Sequence, residues 1–296
     1  MKNNVYIILL LVATLFSCNE KNKESKPAIK KQMTAKEILG NSDFLAISYG
    51  GYRHIDHNIE PTLEELKDDM KILSAIGIRI LRTYKVHFPH AANVLKAISE
   101  LKKEDPSFEM YVMLGAWIDC KNAWTEFEPI HNEESERNAV EIEEVVRLAN
   151  EYPDIVKVIA VGNEAMVKWA TSYYVEPWVI LKWVNHLQSL KKESKLPKDL
   201  WITSSDDFSS WGGGDAEYHT EDLEKLIKAV DYVSMHTYPY HNTHYNPAFW
   251  GVPKEEEQLT EIEKIDNAML RARDFAKNQF KEVSNYVKSM DSTKTI

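Results

Sequence analysis

Residues 155–164 read Ile-Val-Lys-Val-Ile-Ala-Val-Gly-Asn-Glu, a β-branched apolar run that stops at Gly162-Asn163-Glu164. The run predicts a buried strand. Its end places a carboxamide and a carboxylic acid side by side. At the C-terminal rim of a barrel of parallel strands such a pair is placed for chemistry. Glu164 is the candidate proton donor to a leaving oxygen, and must then be kept uncharged by its neighbours. Asn163 is a candidate contact for a sugar hydroxyl through one face of its amide. On the dipeptide alone, a cap for the following helix explains both residues equally well.

Three further strand ends carry polar and aromatic groups of the same kind: Ser48-Tyr49-Gly50-Gly51, Leu81-Arg82-Thr83-Tyr84 and His236-Thr237-Tyr238-Pro239-Tyr240. An Arg and a Tyr at such a rim can hold a carboxylate ionised and aim it. Asp206 and Asp207 follow another apolar run. Trp117, Trp124, Trp169, Trp211 and Trp250 all fall after strand ends, where flat rings suit the C–H face of a pyranose. His236, His241 and His244, with His54 and His57, could be read as a zinc set. No carboxylate or Cys completes a recognised spacing, so polar groups lining a cleft are the favoured reading and neither a metal nor a cofactor is expected. Trp211-Gly212-Gly213-Gly214-Asp215 reads as a mobile loop beside that cleft.

The elements that must position these residues alternate along the chain. Strands are expected at Phe44–Tyr49, Ile78–Tyr84, Phe108–Leu114, Ile155–Val161, Leu200–Ser204 and Tyr232–Met235. Helices are expected at Thr62–Ile76 and at about 91–103, 133–151, 176–193, 220–229 and 261–290. Apolar, non-alternating strands separated by helices mean a parallel sheet covered by helices, so the fold class is α/β, a (β/α)8 TIM barrel. About six and a half βα units are present, with a seventh strand beginning at Thr293–Ile296.

Together these motifs resemble glycoside hydrolase family 17, the β-1,3-glucanases. Val161-Gly162-Asn163-Glu164, Leu81-Arg82-Thr83-Tyr84, Tyr49-Gly50 and Tyr238-Pro239-Tyr240 carry the likeness, which extends from about Ala35 to the end. It implies a retaining hydrolase of laminarin-like glucan, with Glu164 as general acid/base and Asn163 on the sugar. Arg82 and Tyr238 would orient the nucleophile, while Tyr49, Tyr84, Trp117, Asp206, Trp211, His236 and Tyr240 are expected to touch substrate. The family's nucleophile, a Glu ending strand seven, has no match in these residues and is expected beyond Ile296. The 296 residues alone are therefore expected to be inactive and poorly folded. A glucan-binding lipoprotein without catalysis and a transglycosylase are the alternative functions.

A formal charge of −10 argues against a nucleic-acid partner. Residues 1–18 predict a signal peptide, too short to span a membrane, and Leu15-Phe16-Ser17-Cys18 resembles the lipobox in which the Cys is lipidated. Residues 19–35, rich in Lys, Glu, Asn and Ser, predict a flexible tether, and residues 36–296 the barrel domain. The expected location is an outer-membrane lipoprotein facing the periplasm or the cell surface, with β-glucan and, through the lipid, the membrane as partners. Cys120 is the one remaining thiol, so no internal disulfide forms.

Overall fold

The computed structural model of the protein describes residues 32–296. The expected signal peptide, Cys18 and nearly all of the expected tether lie outside the described residues. The folded unit comprises Met33–Ile296.

Six strands form one parallel sheet: β1 (Leu45–Ser48), β2 (Ile78–Arg82), β3 (Tyr111–Ala116), β6 (Val156–Asn163), β7 (Trp201–Asp207) and β8 (Ser234–His236), in the order β1-β2-β3-β6-β7-β8. β6 is buried until its last residue because both of its faces are covered. Ile159 and Val161 join the large core beneath the helices, while Val158 and Ala160 pack with Met113 against Ala35. That double burial is why the strand reads as an unbroken apolar run. Between the strands lie α2 (Leu63–Ala75), α3 (Pro89–Glu104), α4 (Arg137–Glu151), α5 (Pro177–Lys192) and α6 (Glu221–Ala229). The sheet curls as part of a (β/α)8 barrel.

Local chemistry fixes the helix ends. In α2 the Thr62 hydroxyl accepts from Glu65 N, and the Glu65 carboxylate accepts from Thr62 N at 2.8 Å, a capping box that fills orphan donors. Gly77, at φ 93°, turns the chain into β2. The same capping box, from Thr260 and Glu263, starts α9 (Glu261–Met290).

Four features depart from the sequence expectations. A short helix α1 (Ala35–Ile38) has both end residues fully buried, so the fold already includes Ala35. The segment expected to open a helix at 133 instead closes a hairpin, β4 (Cys120–Lys121) against β5 (Ile130–Glu134), and α4 begins at Arg137. β7 runs on to Asp207, so both aspartates belong to the strand. Two short helices, α7 (Pro239–Thr243) and α8 (Pro247–Trp250), follow β8. Beyond α9, the Thr295 carbonyl accepts from Val233 N at 2.9 Å, which lays the start of the expected seventh strand beside β8.

Candidate active site

The turn after β6 is held in a conformation that L-residues rarely adopt. Gly162 has φ 84°, and a Cβ there would stand 2.8 Å from the Ala165 Cβ. Glu164 itself has φ 47°. Such backbone persists only when its surroundings fix it. Here Glu164 N donates to the Ser205 carbonyl at 2.9 Å and Met166 N donates to Asp206 Oδ2 at 2.9 Å, both on β7. The backbone that presents the Glu164 carboxyl is thus tied to the neighbouring strand.

The carboxyl is mostly buried and paired. His236 Nδ1 lies 2.8 Å from Glu164 Oε1, and His236 Nε2 lies 2.7 Å from Ser205 Oγ. Arg82, from the end of β2, bonds Asn163 Oδ1 and reaches Ser48 Oγ at 3.3 Å, with its guanidinium 4.8 Å from the centre of the Tyr84 ring. The His236 hydrogen bond pulls the Glu164 pKa below the usual carboxylate value, burial opposes it, and the charges of His236 and Arg82 reinforce the drop. The expectation of a carboxyl kept uncharged by its neighbours is therefore corrected. In the unliganded protein Glu164 favours the ionised form, because its nearest partner stabilises the charge.

Glu164 opens onto a cavity of about 630 Å³ lined also by Trp169, Asp207, Phe208, Tyr238 and His241. Trp169 is well exposed and offers a flat apolar face. Tyr238 stands edge-on to His236 with ring centres 6.1 Å apart. Asp207 brings a second carboxylate to the cavity, engaged by Ser209 N at 3.0 Å and by Ser209 Oγ at 2.5 Å. An ionisable carboxyl, a second carboxylate, hydroxyls and a wide aromatic ring around one polar concavity suit an uncharged ligand rich in hydroxyls and C–H faces.

No protein-family model matches the chain, and no curated protein does. Among solved structures, an endo-laminarinase from Formosa Hel1_33_131 is 65% identical over 89% of this chain and 67% of its own, with a TM-score of 0.88. The chain belongs to glycoside hydrolase family 17. CJP38, a β-1,3-glucanase and allergen of Cryptomeria japonica pollen, aligns over 78% of this chain and 70% of its own at 15% identity, and its TM-score of 0.46 is too low to carry an argument.

Within this family 17 chain the expected site residues fall into three groups. Glu164 and Tyr238 line the cavity, and His236, Asn163 and Arg82 stand behind the acid, with Tyr84 under the Arg82 guanidinium. Tyr49, Asp206 and Trp211 are corrected, because each is buried. The Tyr49 hydroxyl donates to Asp69 Oδ2 at 2.6 Å. Trp211 is fully buried, with its indole N–H on the Ser234 carbonyl at 3.1 Å. Asp206 is fully buried and accepts from Met166 N and Asp207 N, so it positions the turn instead of touching a ligand. Trp117 lines a different cavity, and Tyr240 stands half-exposed with its ring 6.0 Å from that of Trp250.

The glycine loop after Trp211 is packed as well. A Cβ on Gly212 would meet the Tyr286 ring at 2.2 Å and one on Gly213 would meet Val283 at 2.6 Å, so the loop lies against α9. The histidines do not gather. His236 serves Glu164, His241 and His244 stack with ring centres 5.2 Å apart, and His57 stacks on Tyr52 at 4.3 Å. Among the described residues no three His, Cys, Asp or Glu side chains form a metal-binding group. Cys120 is buried, and burial raises its thiol pKa, as suits an unreactive thiol.

Tyr173 escaped the sequence reading. Its ring lies 5.5 Å from that of Trp117 and 5.0 Å from that of Trp124, and burial, then the charges of Glu164 and Asp206, push its phenol up to about 12. No local pattern marks a tyrosine in an irregular segment as a partner of Trp117 and Trp124.

Proposed function

We propose that this protein hydrolyses β-1,3-linked glucan of the laminarin type, with Glu164 as the carboxyl that exchanges a proton with the glycosidic oxygen. The observation that carries the reading is the Glu164 carboxyl, fixed by β7 and His236 at the wall of a polar and aromatic cavity. The 65% identical endo-laminarinase supports the choice of substrate.

The chemistry follows the retaining route of two carboxylates. One carboxylate attacks the anomeric carbon as the bond to the bridging oxygen breaks, and Glu164 gives its proton to that oxygen. In the second half Glu164 takes a proton from water, whose oxygen displaces the enzyme carboxylate from the sugar. To serve as acid, Glu164 must regain the proton that His236 and Arg82 disfavour. The standing charge of a nucleophilic carboxylate at about 5–5.5 Å raises its pKa, and the loss of water from the cavity raises it further when substrate enters. By resemblance to family 17 that nucleophile is a Glu ending the seventh strand of the barrel. Asp207 is suited to accepting a sugar hydroxyl. Arg82 acts through Asn163, holding its amide so that the free face meets the ring.

We further propose that a lipid on Cys18 holds the domain at the outer membrane, facing the periplasm or the cell surface. That reading rests on the leader sequence alone.

Incubation of the full-length protein with laminarin and, separately, with a β-1,4-glucan tests the substrate. Release of laminari-oligosaccharides from laminarin alone is the expected result. Equal release from the β-1,4-glucan, or none from laminarin, contradicts the reading.

A further inference from the structure

A second cavity, of about 490 Å³, opens among the loops that follow β2 and β3, and its walls include Phe88, Trp117, Asp119, Trp124, Arg137 and Glu141. No role in the proton transfer falls to any of these residues.

The charges around this cavity balance, with Lys85 and Arg137 standing against Asp119 and Glu141. Arg137 Nη2 meets Asp119 Oδ2 at 2.8 Å. His87 bonds Glu141, whose carboxylate also accepts from Val86 N at 3.0 Å and from His87 N and Trp117 N at 2.9 Å each. A lining with as many basic as acidic side chains favours neither a cation nor an anion, and suits a neutral polar ligand. Asp119 is buried, so the polar group it presents to the cavity is the exposed Arg137 guanidinium that it holds.

The aromatic wall is built and held. Trp124 is well exposed at the tip of the β4–β5 hairpin and has φ 63°. That backbone is fixed by Asn122 Nδ2 on the Glu128 carbonyl at 3.0 Å, Thr125 Oγ1 on the Asn122 carbonyl at 2.7 Å and Arg137 Nη2 on the Ala123 carbonyl at 3.0 Å. Strain maintained by so many contacts around an exposed indole points to use of the ring. Tyr173 stacks on Trp124 at 5.0 Å and lies 5.5 Å from Trp117. β3 and β6 are neighbours, with Ala116 in register with Val161, so Trp117 and Glu164 leave the same end of the sheet.

We infer that the second cavity is a remote glucosyl subsite: a sugar ring of the same glucan stacks on Trp124 and one of its hydroxyls accepts a hydrogen bond from Arg137, which Asp119 holds in place. The inference rests on the β-1,3-glucan reading above. It makes the β4–β5 hairpin a determinant of how polymeric substrate is held, while the acid and its supporting residues are unaffected.

Steady-state kinetics of the full-length protein on laminarin test it. Trp124→Ala raises KM about tenfold, the loss of one ring-stacking contact at about 1.4 kcal/mol per decade, and changes kcat far less. Trp124→Phe restores most of the affinity by replacing the flat face. In the unsubstituted protein laminarin shifts the tryptophan emission, and the shift shrinks in Trp124→Phe. An unchanged KM in Trp124→Ala, or a fall in kcat at constant KM, overturns the inference while leaving the substrate reading intact. Failure of the unsubstituted protein to bind or cleave laminarin removes the reading on which both stand.

Discussion

His236 Nδ1 lies 2.8 Å from Glu164 Oε1, and the opposite ring nitrogen of His236 is held by Ser205 Oγ at 2.7 Å. The imidazole is thus fixed from both sides, and its bond is the largest single cause of the lowered Glu164 pKa. An acid that is ionised when the cavity is empty needs its surroundings to change before it can donate a proton. That places control of the reaction in the pair, not in the carboxyl alone.

Replacing His236 with Phe removes the group that most favours the charged form of Glu164. The Glu164 pKa then rises. If the glycosylation half uses protonated Glu164, as proposed, it fails as that carboxyl ionises, and the alkaline limb of the kcat/KM profile moves to higher pH in His236→Phe. A pH–rate profile on laminarin checks this. A limb that stays in place or moves to lower pH shows that His236 does not set the protonation of the acid.

Asp206 offers a second titration, seen in stability instead of rate. Burial is the main cause that raises its carboxyl to about 7, and the bonds from Met166 N and Asp207 N and the Ser210 side chain work against it. In the unfolded chain an Asp titrates near about 3.9. The folded state therefore holds a proton that the unfolded state releases, so this contribution is full at acidic pH and is lost as pH rises from about 4 through about 7. Its upper bound is on the order of 4 kcal/mol at about 1.4 kcal/mol per unit. Thermal melts between those limits are expected to show Tm falling with pH in the native sequence and a flatter slope in Asp206→Asn. Equal slopes reject the assignment.

The strands and the rim position of Glu164 were legible in the sequence for one physical reason. A strand buried on both faces must be apolar throughout, so Ile155–Val161 and its abrupt polar end mark both an element and a rim. The β4–β5 hairpin was not legible, because two residues of Cys-Lys against Ile-His-Asn-Glu-Glu show no apolar alternation. Asp206 and Asp207 are neighbours whose side chains take opposite faces of β7. The sequence offers no rule for which one faces the cavity, and the structure gives it to Asp207. Trp211 follows a strand end like Trp117 and Trp169, yet α9 and its loop bury it, a long-range contact that local sequence does not announce.

Trp211 supplies a prediction that separates packing from binding. Truncating a fully buried Trp costs about 3–5 kcal/mol, a large part of a domain stability of about 5–15 kcal/mol. Trp211→Ala is expected to lower the urea midpoint sharply, and Trp211→Phe to lower it less while KM for laminarin stays near the native value. A native midpoint combined with weakened laminarin binding would instead make Trp211 a ligand platform.

The identity of the acid is the central claim, and the rate of reducing-end release from laminarin by full-length Glu164→Gln tests it most directly. The amide keeps the shape and can still meet His236, but has no proton to give. The rate is expected to fall about 10²- to 10⁴-fold while laminarin still binds and Tm changes little. Release at the native rate would contradict the account and move the proton transfer to another residue.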